Sequence, residues 1–324
     1  MNGDQDVEPL HTMPDRAAHD LVELALGELR LVLAPRVGGS IAEFSSRRGG
    51  VVQHWLRPAS EAALRAVNPL GMASFPLLPW CNRIRDGRSD FGARPLRLAP
   101  NYGDSPHTIH GVGWQRPWCV REHGPAHAVL QLVHVPGELH GVAPDWPYRF
   151  EAEQRFTLDA RGGLTVGMTL TNRDELPMPA GIGHHPYLPR RDGTRLQATV
   201  AAMWGGDAEL LPTVLSRPPW LDELQRGMAV ADTDLDNNFT GWSRSARIDW
   251  PDTGTALQLD ADAPLDNFVI YSPPGFDHFC IEPVSNCTDW MNLAQHGEQR
   301  AGGCLLAPGE TLRACFHLLP DWPA

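Results

Sequence analysis

Short alternating runs of apolar and polar residues, separated by glycine and proline, restrict the fold of this chain most strongly. The runs 28–33 and 40–44 lie on either side of Gly38 and Gly39, which predicts a hairpin. A period of two places successive side chains on opposite faces of a strand. The chain contains 31 glycines and 30 prolines, so it can supply the many turns that such short strands need.

Runs of this kind recur along the chain, whereas helical periodicity is rare. Further strands are predicted at 128–135, 148–158, 164–171, 256–259, 267–271, 279–281 and 311–318, with a turn at 159–163 and short helices at 60–66, 219–225 and 289–295. No fixed-period repeat or low-complexity linker divides the chain. We therefore expect an all-β protein. Residues 21–324 would form one large antiparallel β-sandwich domain, and residues 1–20 a loose polar lead-in.

Charge and cysteine spacing argue against several classes of protein. The chain has 27 basic and 39 acidic residues and a formal net charge of −12, so we expect no nucleic-acid partner. No apolar run approaches the roughly 18 residues of a membrane helix, and residues 1–20 lack the apolar stretch of a signal peptide. The six cysteines form no C-x-x-C pair, which favours reduced thiols and no metal. These features indicate a soluble, cytoplasmic protein without membrane partners.

The apolar segment 71–84 ends in the first candidate binding residues. Pro76 and Pro79 interrupt it, which predicts a shaped loop instead of a regularly paired strand. The segment continues into Asn82 and Arg83, and the guanidinium offers a rigid fork of donors for hydroxyl groups or a carboxylate. A surface arginine or a structural ion pair is the alternative interpretation.

Two histidine-containing segments follow. His110 precedes Gly111, where the backbone can approach a ligand closely. A satisfied structural role is an equal alternative for any one of the 14 histidines. In His184-His185-Pro186-Tyr187, proline favours an extended His185, and Tyr187 would share its face. Since neighbouring strand residues face opposite ways, only one of the two adjacent histidines can enter a given cavity.

Glu282 is a lone carboxylate at the end of a short apolar strand, immediately before Pro283. A carboxylate seldom occupies such surroundings without a partner. It is therefore a candidate for acid–base chemistry, and an ion pair with Arg83 is the structural alternative. The sequence alone does not give the direction of its pKa shift, because burial and a nearby cation act in opposite senses.

Taken in order, these segments resemble the aldose 1-epimerase (galactose mutarotase) family. The matching positions are Gly38-Gly39, Phe75-Pro76, Asn82-Arg83-Ile84, His110-Gly111, His185-Pro186-Tyr187, Asp236 with Phe239, Ile281-Glu282-Pro283 and Asn292. The resemblance implies a galactose mutarotase-like supersandwich. It also implies Glu282 as general base, His185 as general acid, and Arg83, His110, Asp236 and Asn82 as substrate-binding residues. His184 departs from the family pattern, since many members have asparagine there.

The resemblance further implies an isomerase that interconverts the α and β anomers of a free aldohexose such as galactose or glucose. Opening a cyclic hemiacetal requires one base and one acid on adjacent oxygens, which suits glutamate and histidine and calls for no cofactor. Two alternatives remain open: a hexose-6-phosphate mutarotase, for which Arg85 and Arg88 could supply cations, and a carbohydrate-binding protein without catalysis. The expected partner is a small-molecule sugar, and the expected state is a monomer or homodimer.

Overall fold

The computed structural model describes residues 21–137, 146–159 and 162–322, and it is built mainly from strands. In chain order the strands are β1 (Val22–Leu26), β2 (Leu29–Ala34), β3 (Ser40–Arg48), β4 (Val51–His54), β5 (Pro76–Leu77), β6 (Arg83–Ile84), β7 (Arg88–Ser89), β8 (Leu96–Arg97), β9 (Thr108–Ile109), β10 (Cys119–His123), β11 (His127–His134), β12 (Phe150–Leu158), β13 (Leu164–Asn172), β14 (Met178–Ala180), β15 (Gly183–His184), β16 (Tyr187–Pro189), β17 (Arg195–Ala198), β18 (Ala202–Gly206), β19 (Pro212–Ser216), β20 (Met228–Ala229), β21 (Asp236–Thr240), β22 (Ser245–Trp250), β23 (Thr255–Ala261), β24 (Asn267–Tyr271), β25 (His278–Val284), β26 (Cys304–Leu306) and β27 (Thr311–Asp321). The α-helices are α1 (Glu61–Arg65), α2 (Leu221–Arg226) and α3 (Trp290–Gln295), and single 3₁₀ turns cover Pro69–Gly71, Arg85–Gly87, Gly113–Gln115, Val230–Asp232 and Gln299–Ala301.

Two large antiparallel sheets dominate the architecture. One has nine strands in the order β10-β11-β12-β13-β27-β23-β22-β17-β20. The other has eight, in the order β19-β18-β21-β24-β25-β15-β5 with β16 also paired to β25. A separate four-stranded sheet joins β1 to β4, and the remaining pairs are β14-β26, β6-β9 and β7-β8. The predicted antiparallel all-β class is confirmed.

The two large sheets pack face to face around one core. Phe156 and Phe316 of the nine-stranded sheet belong to the same buried cluster as Phe268 and Ile281 of the eight-stranded sheet. Burying these faces from water is the main favourable contribution to folding. Because the cluster draws on residues from Val22 to Leu318, it supports our proposal of a single domain, although residues 1–20 lie outside the described ranges.

Most of the predicted elements occur where the sequence patterns indicated. The hairpin between the first two runs is β2 paired with β3, and all three short helices form within two residues of their predicted bounds. The predicted loop at the prolines is wrong in one detail. Pro76 and Leu77 form a two-residue strand that pairs with β15 at the edge of the sheet, where a missing N–H is tolerated. No helix in the described ranges has the length and apolar character required to cross a membrane.

Candidate active site

A pocket of ≈ 560 Å³ opens beside β25 of the eight-stranded sheet. All six side chains singled out in the sequence line it, namely Asn82, Arg83, His110, His185, Asp236 and Glu282. They come from β6 and the residue before it, from the residue after β9, from the chain between β15 and β16, and from β21 and β25. The fold therefore brings together residues that are up to 200 positions apart (282 − 82).

Glu282 and His185 meet inside this pocket. The Oε1 atom of Glu282 lies 3.2 Å from Nε2 of His185, and the two side chains are only 2% and 8% exposed. Glu282 is held on β25, whose neighbour β24 places Val269 opposite it. Glu282 thus has a partner, as its sequence context required, but that partner is His185 and not Arg83.

Burial favours the neutral form of both groups. It raises the pKa of Glu282 well above its usual value, with Asp236 acting in the same sense and Arg83 against it. Burial also lowers the pKa of His185 to about 3, and the positive charge of Arg57 acts in the same sense. At hydrogen-bonding distance the two groups can hold one proton between them, and they titrate as a pair.

Aromatic rings fix the orientation of the His185 imidazole. Phe75 stacks on it with ring centroids 4.7 Å apart, and Tyr187 also lies at 4.7 Å. The ring of His110 meets it edge-on at 5.2 Å. The prediction that Tyr187 shares a face with His185 is confirmed by this contact, and the stacking keeps Nε2 directed at Glu282.

A polar wall flanks the pair. Arg83 extends one guanidinium nitrogen to Oδ2 of Asp236 at 3.3 Å and another to Oδ1 of Asn82 at 3.2 Å. The backbone N–H of Asn82 donates to Nδ1 of His110 at 3.2 Å. Asn82 and His110 both have positive φ, 60° and 63°, a conformation that costs energy in residues other than glycine and is concentrated at functional sites.

His184 faces away from the pocket. Its Nε2 lies 3.1 Å from Oε1 of Gln154 on the nine-stranded sheet, and its Nδ1 contacts the hydroxyl of Ser74. Its ring lies 5.3 Å from that of Phe316. The prediction that only one of the adjacent histidines enters the cavity is therefore confirmed, and His185 is that histidine.

Several pocket residues were not singled out as site residues from the sequence. Arg57 lies over the Tyr187 ring at 4.1 Å and contacts Nδ1 of His278 at 3.2 Å. Tyr102 and Tyr271 also line the pocket. The sequence around Arg57 does not indicate that it lies in the pocket, because its position depends on hydrogen bonds to the carbonyl oxygens of Leu70 and Met72, more than ten residues further along the chain. Trp114 is buried behind Phe75, with the two ring centroids 5.3 Å apart.

Comparison with known proteins finds a family whose sequence model matches nearly the whole chain. The family model for aldose 1-epimerase matches residues 20–318. The uncharacterized protein YphB of Escherichia coli K12 is 30% identical over 303 residues, which cover 88% of this chain and 97% of YphB.

Solved structures share the fold. One from Escherichia coli K12 superposes with a TM-score of 0.81 at 27% identity, covering 94% of this chain and 99% of its own. A galactose mutarotase-like protein from Clostridium acetobutylicum gives a TM-score of 0.80 at 21% identity, and the match covers 93% of this chain and 95% of that protein. The galactose 1-epimerase of Lactobacillus acidophilus NCFM gives a TM-score of 0.73 at 16% identity, and the match covers 96% of this chain and 97% of that protein. The last two likenesses show the fold alone.

Proposed function

Since this chain belongs to the aldose 1-epimerase family, we propose that it interconverts the α and β anomers of a free aldohexose such as galactose or glucose. The observation that carries the proposal is the contact between Glu282 and His185 at 3.2 Å inside the pocket. In an aldose ring, the C1 hydroxyl oxygen and the ring oxygen are both bonded to C1. A base and an acid that act on them must therefore lie close together, as these two groups do.

In the proposed reaction, Glu282 removes the proton of the C1 hydroxyl while His185 gives a proton to the ring oxygen. The ring opens, and the pair is left as a neutral carboxyl and a neutral imidazole. The reaction thus starts from the ion-pair arrangement of the shared proton and passes to the neutral arrangement, which burial favours for both groups. After rotation about the C1–C2 bond, the two transfers reverse and the ring closes on either face. Only protons move, so the reaction needs no redox or group-transfer cofactor.

The polar wall is proposed to hold the sugar hydroxyls. Arg83 and Asp236 offer donors and acceptors side by side, and their mutual contact at 3.3 Å keeps both oriented. Burial, with smaller contributions from His185 and Arg83, lowers the pKa of His110 well below its usual value, so His110 contributes a neutral ring. Asn82 adds an amide next to the guanidinium. Each group is positioned before the sugar arrives, which limits the entropy lost on binding.

Polarimetry tests the proposal directly. Freshly dissolved α-D-galactose and α-D-glucose relax slowly to their anomeric equilibrium, and catalytic amounts of the protein should accelerate this relaxation. The matched control is Glu282→Gln at the same concentration, which keeps the shape of the side chain and removes the base. Relaxation at the buffer rate for every aldose tested would reject the enzymatic function. Sugar binding to the same sample would then favour a carbohydrate-binding protein.

A further inference from the structure

A second cluster of reactive side chains lies away from the pocket, on the nine-stranded sheet. Asp262, Cys315 and His317 place a carboxylate oxygen, a thiol sulfur and an imidazole nitrogen within 4.8 Å of one another. We propose that these three side chains form a binding site for one Zn²⁺ ion. The proposal is independent of the sugar chemistry, and it differs from the sequence expectation of no metal.

The backbone brings the three residues together. Cys315 and His317 are two residues apart on β27, so their side chains leave the same face of the sheet. Asp262 directly follows β23, the strand paired with β27. The Asp262 N–H donates to the Cys315 carbonyl at 2.9 Å, which fixes the third residue beside the other two.

The distance between the sulfur and nitrogen atoms is close to that expected for tetrahedral zinc coordination. Sγ of Cys315 lies 3.8 Å from Nε2 of His317. Bonds of ~2.3 Å to sulfur and ~2.0 Å to nitrogen at a tetrahedral angle separate the two ligand atoms by ~3.5 Å. The other ring nitrogen, Nδ1, lies 2.9 Å from the Thr165 hydroxyl. Such an outer hydrogen bond orients a ligating histidine and leaves Nε2 available for the metal.

The surroundings leave room for an ion and its water. Gly167 lies opposite Cys315 on β13, and a Cβ added there would meet no atom closer than 4.0 Å. Within the described ranges, the Asp262 carboxylate has no hydrogen-bond or ion-pair partner. Sulfur, imidazole nitrogen and one carboxylate together suit Zn²⁺ better than Mg²⁺ or Ca²⁺. Three protein ligands leave the fourth position to water.

Cobalt(II) provides the spectroscopic probe, because it takes the same tetrahedral geometry as zinc and absorbs in the visible range. The reduced, metal-free full-length protein should bind one equivalent of Co²⁺, with a thiolate-to-cobalt band in the near ultraviolet, and Zn²⁺ should displace it. Cys315→Ser should abolish the thiolate band. His317→Gln and Asp262→Asn should each weaken binding at least tenfold, and circular dichroism checks that each variant is folded.

Two control variants separate a built site from chance binding. Asp260→Asn changes the carboxylate opposite His317, but that carboxylate accepts a hydrogen bond from Gln258 at 2.9 Å, so metal affinity should be unchanged. Cys119→Ser removes an exposed free thiol elsewhere and should also have no effect. The proposal is overturned by the absence of a thiolate band in the wild type, by a band that persists in Cys315→Ser, or by one lost in Cys119→Ser.

Discussion

His184 and His185 are neighbours in the chain, yet they lie in two different regions of the molecule. The core side of the eight-stranded sheet holds His184, which is fully buried and contacts Ser74 and Gln154 through its two nitrogens. The pocket side holds His185, which contacts Glu282 through Nε2. Strand geometry produces this difference, since successive side chains leave opposite faces.

His184 differs from the His185–Glu282 pair in how fully its polar atoms are hydrogen-bonded. Among the described residues, Nδ1 of His185 and Oε2 of Glu282 are buried without a hydrogen-bond partner. Each such atom costs about 1–3 kcal/mol, so the pair on the pocket side retains unsatisfied groups, whereas both ring nitrogens of His184 have partners. The core side therefore has the properties of a structural network and the pocket side those of a reactive site.

The largest expected effect is that of Glu282→Gln on the pocket side. The amide preserves the shape but cannot accept the C1 proton, so kcat should fall by about 10² to 10⁴-fold. Binding of galactose, measured by calorimetry, should remain nearly unchanged. Glu61→Gln, at a residue whose side chain is 85% exposed, is the matched control and should behave as wild type. Turnover at the wild-type rate in Glu282→Gln would assign the base to another residue.

Replacing each histidine in turn tests whether the pocket side and the core side differ in their contribution to catalysis. His185→Asn should lower kcat by roughly 10²-fold, because it removes the proposed general acid. His184→Asn should change kcat far less, because its side chain does not reach the pocket. Polarimetry of α-D-galactose on both variants measures the ratio. A larger loss of kcat in His184→Asn than in His185→Asn would identify His184 as the general acid and contradict the assignment of His185.

Sequence patterns were sufficient to predict the placement of residues whose position depends on local chain geometry. His185 and Glu282 each precede proline on or beside a short strand, and alternation alone separates His184 from His185. Ion-pair partners that depend on tertiary contacts were harder to predict from the sequence. Arg83 pairs with Asp236 and not Glu282, and this choice depends on where the fold places two residues that are far apart in the sequence. The stretch between Leu188 and Asp236 also contains β18 to β20, which lack a clear alternating pattern.

A smaller effect concerns stability on the core side. Burial, assisted by His185, lowers the pKa of His184 to about 3. In the unfolded chain the ordinary value is ~6.5, so below that pH the unfolded state binds the proton and the folded state does not. The stability associated with neutral His184 is present above pH ~6.5 and is progressively lost as the pH falls. Between pH 7 and pH 5 the loss amounts to about 2 kcal/mol.

Urea unfolding of wild type and His184→Asn at the two pH values isolates this contribution. The variant should lose about 2 kcal/mol less than the wild type on acidification, because asparagine takes up no proton. His185 is present in both proteins, so its own titration cancels in the difference. If His184→Asn does not fold, His184→Gln serves the same purpose. Equal pH dependence in variant and wild type would mean that His184 is charged, or solvated, in the folded state.

The smallest expected effect tests the charge of the pocket side. Arg57 and Arg83 line the pocket, but Arg57 donates to two carbonyl oxygens and Arg83 pairs with Asp236. Arg85, a candidate phosphate ligand from the sequence, lies 3.7 Å from carboxylates of both Asp207 and Asp289 and is not part of the pocket lining. A phosphate group would meet the negative field of a chain of net charge −12.

We therefore expect kcat/KM for glucose 6-phosphate to be roughly tenfold below that for glucose. The difference should shrink at high ionic strength, because salt screens repulsion between the phosphate and exposed carboxylates. Polarimetry of both sugars at low and high salt measures this, with glucose as the internal control. A kcat/KM for glucose 6-phosphate tenfold above that for both glucose and galactose would contradict this expectation. It would mean that an arginine of the pocket leaves its present partner to bind the phosphate, and it would favour a hexose-6-phosphate mutarotase.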